Sequence, residues 1–168
     1  MRHAHCPVLL ARPGPQSGRL LAATDLSDPA LPAVAAAAEW ARERDQRLTI
    51  AHSIEWGPLI VAPELGVWKT PPVSLGETEK AAERDKAREH LIDALARFGA
   101  EGEPAIEEGP APEAILRLAR ELPAELLVMG TAGRTGLSRM LLGSVAEAIA
   151  RDAPCSVLVV RLREGRAR

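Results

Sequence analysis

Residues 124–160 read AELLVMGTAGRTGLSRMLLGSVAEAIARDAPCSVLVV. Two apolar runs, AELLVM at 124–129 and SVLVV at 156–160, flank a glycine-rich stretch at 130–143 and a short helical pattern at 144–151. Apolar runs without polar alternation suit strands covered on both faces, the position of parallel strands between two helical layers. Strand, helical crossover and strand make one right-handed unit of a parallel sheet.

The same alternation recurs outward from this segment. RLLAATD at 19–25 is an apolar run closed by an acid and reads as the first strand. Ser27 follows as a candidate N-cap, with Asp28 and Pro29 in the first turn. Residues 31–44 form an alanine-rich helix, and RLTIAHSI at 47–54 a second strand. Residues 55–76 hold four prolines, three glycines, Trp56 and Trp68, and read as a long loop of a functional or mobile kind. Residues 77–98 form a long charged helix with Ala81, Leu91, Leu95 and Phe98 along its apolar stripe. Gly99 and Gly102 are expected to end it. A weak strand at 104–107 and a helix at 112–122 complete the series.

The expected fold class is α/β, a single-domain open five-stranded parallel sheet of order 3-2-1-4-5 with helices on both faces. In such sheets a ligand binds beyond the carboxyl ends of the strands, where the strand order reverses. That point lies between the first and fourth strands, which Asp25 and Gly130 directly follow.

A length of 168 residues fits one domain, large enough to fold around its own core. With 46% hydrophobic and 26% charged residues the chain is no disordered polymer. A net charge of −2 offers no basic surface to nucleic acid. Three Trp, one Phe and no Tyr are too few for base-stacking platforms. No run approaches the roughly 20 apolar residues that span a bilayer, and the N-terminus lacks the pattern of a signal peptide. Cys6 and Cys155 make no disulfide framework. The expectation is a cytoplasmic chain with reduced thiols, partnered by neither nucleic acid nor membrane.

The N-terminus repeats the C-terminus. RHAHCPVLLAR at 2–12 and RDAPCSVLVVR at 151–161 agree at six of eleven positions, among them Cys6/Cys155, Leu9/Leu158 and Arg12/Arg161. PGPQSG at 13–18 then reads as a linker. Residues 6–11, from Cys6 to Ala11, thus resemble the last strand of a preceding domain, as in descent from a tandem protein. Chance similarity between short apolar strands is the alternative. An apolar strand needs a sheet edge, and the expected edge is the fifth strand, of the same chain or of a partner. The organisation expected is an extension over 1–18, a domain over 19–162 and a charged tail over 163–168.

The stretch 130–143 lies between a strand and a helix. Glycines let backbone approach a ligand closely, and free N–H groups at a helix start attract anions. Arg134 and Arg139 could add fork-shaped donors for phosphate. A tight turn is the simpler alternative, and the spacing is neither GxxxxGK[ST] nor GxGxxG.

The whole pattern is more specific. Gly130-x2-Gly133-x9-Gly143-Ser144, continued by Ala153-Pro154-Cys155 and an apolar strand to Arg161, closely resembles the universal stress protein family in its ATP-binding form. Thr24-Asp25-Leu26-Ser27 and Ala51-His52-Ser53 match as well, so the resemblance runs from Arg19 to Arg161. It implies an adenine nucleotide alpha-hydrolase-like fold and a stress-response module. It further implies a homodimer through the fifth-strand edge, and ATP, ADP or AMP bound with Mg²⁺ or Mn²⁺. By this resemblance Asp25 takes the ribose hydroxyls, and Ala23 and Thr24 lie under the base. The Ser53 backbone reads the adenine edge. Gly130, Gly133, Gly143, Ser144 and Val145 cradle the triphosphate, with Arg134 as a basic neighbour. No acid is clearly placed as a metal ligand. Departures are Ala132, where the family often has His or Arg, Ser53, where Val is common, and the added N-terminal strand.

Simpler readings stand beside these. Asp25 can cap the following helix. His52 suits a satisfied core histidine, His90 a solvated one and Cys155 a structural thiol. His3, His5 and Cys6 make at most a crude metal site. The charges of the 77–97 helix suit an exposed face with i,i+4 pairs. Phosphoryl transfer needs a positioned nucleophile and strong charge neutralisation, and neither a Walker lysine nor a catalytic-loop acid is present. Hydrolysis is expected to be slow at most. The alternatives to a nucleotide-binding module are a slow ATPase and an interaction protein whose pocket the 55–76 loop closes.

Overall fold

The computed structural model describes residues 6–56, 76–131 and 143–161. In chain order these form β1 (Val8–Leu10), β2 (Arg19–Ala23), α1 (Leu31–Arg44), β3 (Arg47–Ile54) and α2 (Glu77–Arg97). There follow β4 (Gly102–Glu108), α3 (Ala111–Glu121), β5 (Leu126–Gly130), α4 (Ser144–Asp152) and β6 (Ser156–Val160). One six-stranded sheet runs β1-β6-β5-β2-β3-β4. All neighbours are parallel except β1, which is antiparallel to β6. Leaving β1 aside, the expected 3-2-1-4-5 order is present. The extra N-terminal strand lies on the fifth parallel strand of its own chain.

The two helical layers follow from the period-2 alternation of strand side chains. Leu21, Leu127, Met129, Val157 and Val159 face the layer that holds α3 and α4. Leu20, Ala22, Leu48, Ile50, Leu126, Val128 and Val160 face α1 and α2. The buried stripe of α1 is Ala33, Val34, Ala37, Ala38 and Ala41, small side chains that let the helix lie close on the sheet. Among the described residues no charged or polar residue is fully buried, and no helix is long and apolar enough to cross a membrane.

Four local expectations change. Gly102 does not end a helix; it opens β4. A Cβ there would stand 2.9 Å from the Leu48 carbonyl oxygen and 3.0 Å from a Leu95 methyl, so close packing of α2 against β3 and β4 requires glycine. Ser27 is the N-cap residue of a 3-10 turn, Asp28–Ala30, rather than of α1 itself, and makes no side-chain capping bond; its hydroxyl donates to Asp25 Oδ1. Ala81 is exposed, and the buried stripe of α2 is Ala87, Leu91 and Leu95. The charges of α2 pair at another spacing than the i,i+4 expected: Lys80 bonds Glu77 at i,i+3 and 2.9 Å, and Arg84 reaches across to Glu108 of β4.

Candidate functional site

A cavity of about 730 Å³ opens above the carboxyl ends of β2, β3 and β5. Ala23, Thr24, Asp25, Ser53, Gly130, Gly143, Ser144 and Val145 all line it. Gly133 and Arg134 lie outside the described residues, as do Arg139, Trp68, His3, His5 and most of the 55–76 loop.

The turn after β2 is built by short polar side chains bonding to nearby backbone, as Thr and Asp do in tight turns. The Leu26 N–H donates to Thr24 Oγ1 at 3.1 Å. The Ser27 N–H and hydroxyl both donate to Asp25 Oδ1, at 3.1 and 2.6 Å. These bonds hold Leu26 at φ +64°, a conformation that a non-glycine residue adopts only under local constraint. Asp25 therefore does cap its turn, but with one oxygen. Its Oδ2 is buried and has no hydrogen-bond partner among the described residues. Burying a carboxylate oxygen without a partner is costly, and Asp25 is a residue of the cavity lining.

His52 ties the neighbouring strand to this turn. Its Nδ1 lies 2.9 Å from the Thr24 carbonyl oxygen. A carbonyl only accepts, so Nδ1 carries the proton. The histidine is satisfied as expected, but it is half-buried in the lining of the cavity rather than in the core.

Beside it, β3 outruns β2. The register ends at Ala23 opposite Ala51, and the Thr24 N–H donates to the Ala51 carbonyl at 3.0 Å. In a strand, residues two apart turn their backbone groups to the same side. Ile54 accepts from the Gly109 N–H on the β4 side. Ser53, like Ala51, thus turns its N–H and carbonyl toward β2, past the point where β2 ends. That leaves a donor and an acceptor side by side at the cavity wall.

The opposite wall is the start of α4. Its N-cap is Gly143, which has no side chain to bond the first turn. The N–H groups of a helix's first turn have no partner within the helix, and here they carry the positive end of the dipole. The Gly143 N–H itself donates to the Thr131 carbonyl at 2.8 Å. Gly143 contributes space: a Cβ there would stand 3.2 Å from that carbonyl oxygen.

Sequence reasoning missed the third side. Glu83, Lys86 and His90 of α2 also line the cavity. They are exposed, as expected for His90, and only the fold reveals which part of this charged helix overlooks the site. Trp56 has a buried Nε1 without a partner among the described residues, and the Arg84 guanidinium lies 6.0 Å from its ring centre. No group of three His, Cys, Asp or Glu side chains among the described residues could hold a metal ion.

The pattern of the universal stress protein family matches residues 17–161, and the chain belongs to that family. It is 33% identical over 143 residues to universal stress protein MJ0531 of Methanocaldococcus jannaschii, covering 85% of this chain and 81% of that one. A crystal structure of a universal stress protein in complex with cAMP is 28% identical over 85% of this chain and 95% of its own, with a TM-score of 0.58. A Pseudomonas aeruginosa PAO1 protein, described as functionally unknown, is 27% identical, with a TM-score of 0.64. That match covers 96% of this chain but 54% of the other, so it reaches into the residues ahead of Ser17.

Proposed function

We propose that this chain is a regulatory module that binds an adenine nucleotide, ATP with a divalent metal, across the carboxyl ends of β2 and β5. The observation that carries this reading is that Asp25, with its Oδ2 buried and unpartnered, lines the same cavity as a helix start with no side-chain cap. An acceptor on one side and donors on the other suit a ligand with hydroxyls at one end and anionic oxygens at the other. The related structure bound to cAMP lends support to an adenine nucleotide.

In this reading Asp25 Oδ2 accepts from the ribose hydroxyls, with Ala23 and Thr24 under the base. The Ser53 N–H donates to adenine N1 and its carbonyl accepts from the 6-amino group. The N–H groups of Ser144 and Val145 hold phosphate oxygens, Gly130 and Gly143 keep the path clear, and Gly133 and Arg134 complete the cradle. The divalent cation supplies charge neutralisation between phosphates; the described side chains offer it no ligand set of their own. The module spans residues 19–162, with 1–18 as an extension and 163–168 as a tail, and works in the cytoplasm by holding nucleotide rather than turning it over. Two copies associate through the β6 edge only when β1 leaves it.

Isothermal titration with ATP and Mg²⁺ tests the reading. The expected result is saturable binding, with GTP at least tenfold weaker because guanine reverses the donor and acceptor that Ser53 meets. Absence of binding heat for any adenine nucleotide would overturn it and favour an interaction protein with a closed pocket.

A further inference from the structure

The two segments that repeat each other in sequence are also the two that pair. Val8 lies opposite Val159, Leu9 opposite Leu158 and Leu10 opposite Val157. In the repeat, Val8 corresponds to Val157, Leu9 to Leu158 and Leu10 to Val159. Each β1 residue therefore faces a position that, read through the repeat, is the mirror of its own place in the strand. A local twofold axis passes between Leu9 and Leu158. The edge of β6 is occupied by a strand of its own kind, in the register that two copies of β6 would adopt.

The hold of β1 is short and centred on one residue. The strand has three residues, and Leu9 is 48% exposed. Beyond it the Arg12 N–H donates to Ser156 Oγ at 3.1 Å. The Arg12 guanidinium donates to the carbonyls of Ala150, Arg151 and Ala153 at the end of α4, at 2.5, 3.0 and 2.9 Å. A cation on the last carbonyls of a helix is favoured by bonding and by the dipole. The counterpart of Arg12 in the repeat is Arg161, so a second copy of β6 would bring both the strand and an arginine in place of the clamp.

We propose that β1 is a built-in substitute for the β6 strand of a second copy, which caps this edge and keeps the chain monomeric. Release of β1 exposes a surface that takes another copy, β6 against β6, antiparallel and centred on Leu158. The tether sets the balance. A strand joined by a short linker competes at an effective concentration on the order of millimolar, so it excludes a partner present at micromolar levels. An uncovered apolar edge is in turn a ready template for another chain. This inference rests on the reading of the β6 edge as the self-association surface and is independent of nucleotide binding.

The test uses the full chain with Cys6→Ser, so that no exposed thiol interferes, followed by light scattering after gel filtration. The parent is expected to run as a monomer at tens of micromolar. Leu10→Pro, at a position whose N–H turns toward Val157, removes a ladder bond and breaks the strand, and is expected to double the mass. Arg12→Ala, a milder release, should strengthen dimerisation several-fold without loss of helical circular dichroism. Adding Leu158→Cys tests the surface itself. Directly opposed antiparallel residues stand roughly 4.5–5.5 Å apart at Cα, within disulfide range. Oxidised Leu10→Pro/Leu158→Cys should give a covalent dimer, and Leu158→Cys alone a monomer. A dimeric parent, or folded release variants that stay monomeric, would overturn the capping role. Dimers that Leu158→Cys does not cross-link would overturn the edge.

Discussion

The turn after β2 and the start of α4 line one cavity, and they are built in opposite ways. After β2 the chain uses side chains: Thr24 and Asp25 bond the backbone of Leu26 and Ser27, leaving one carboxylate oxygen over. Ahead of α4 the chain uses bare backbone, with a glycine N-cap and no side-chain bond to the first turn. One connection presents an acceptor with negative charge, the other presents donors at the positive end of a dipole. A ligand spanning them must itself be divided into hydroxyl and anionic ends, and the division of labour explains why neither loop alone specifies it.

The sharpest way to break the comparison is at Gly143. Gly143→Val places a branched side chain against the Thr131 carbonyl, where even a Cβ lies at 3.2 Å, and across the path of the phosphates. Nucleotide affinity is expected to fall at least a hundredfold in titration calorimetry. Asp25→Asn is next. It keeps an oxygen able to accept from Ser27, so the thermal midpoint should move little, whereas ATP affinity should drop about tenfold to a hundredfold, the range for losing a charged hydrogen bond. Asp25→Ala should lose affinity and stability together, because the Ser27 N–H then loses its partner. Ser144→Ala should weaken ATP a few-fold at most and leave stability unchanged, since the Ser144 side chain does not cap α4.

Away from both connections, Gly102→Ala sharpens the contrast by affecting only the fold. A Cβ 2.9 Å from the Leu48 carbonyl should cost about 1–3 kcal/mol by overpacking, read as a lower melting midpoint with ATP affinity retained. The smallest effect concerns thiols. Burial pushes the Cys155 thiol up, against weaker opposing influences from Arg12 and a Leu127 backbone bond. Its pKa is higher folded than unfolded, so the proton is held in the folded state, and the associated stability is lost only as pH rises into the alkaline range. Near neutral pH a thiol reagent should label the exposed Cys6 rapidly and Cys155 only on unfolding.

The parallel sheet was legible because its signal is collective. LLVM and SVLVV are apolar at successive positions, and alternation with helices fixes which strands can be parallel. The pairing of the 6–11 segment was legible because residues 2–12 copy 151–161. Ser27 does stand at the N-cap position, but its hydroxyl bonds back to Asp25 rather than forward to the turn, and residue type alone does not say which neighbour a hydroxyl takes. Gly102 misled because a glycine needed for close approach resembles one needed for a turn. Glu83, Lys86 and His90 gave no signal, since polar residues on a charged helix look alike until a cavity lies beneath some of them. Asp25 itself was singled out by position, but its division into one satisfied and one unsatisfied oxygen belongs to three dimensions.

The measurement that bears most directly on the account is a double cycle of affinities: the parent chain and Asp25→Asn, each titrated with ATP and with 2′,3′-dideoxy-ATP in the presence of Mg²⁺. If Asp25 Oδ2 holds the ribose hydroxyls, removing them should weaken the parent by about tenfold to a hundredfold and leave Asp25→Asn almost unaffected, a strongly non-additive cycle. Equal losses in both proteins would mean that the hydroxyls are held elsewhere, and would contradict the assignment of the β2 connection as the acceptor half of the site.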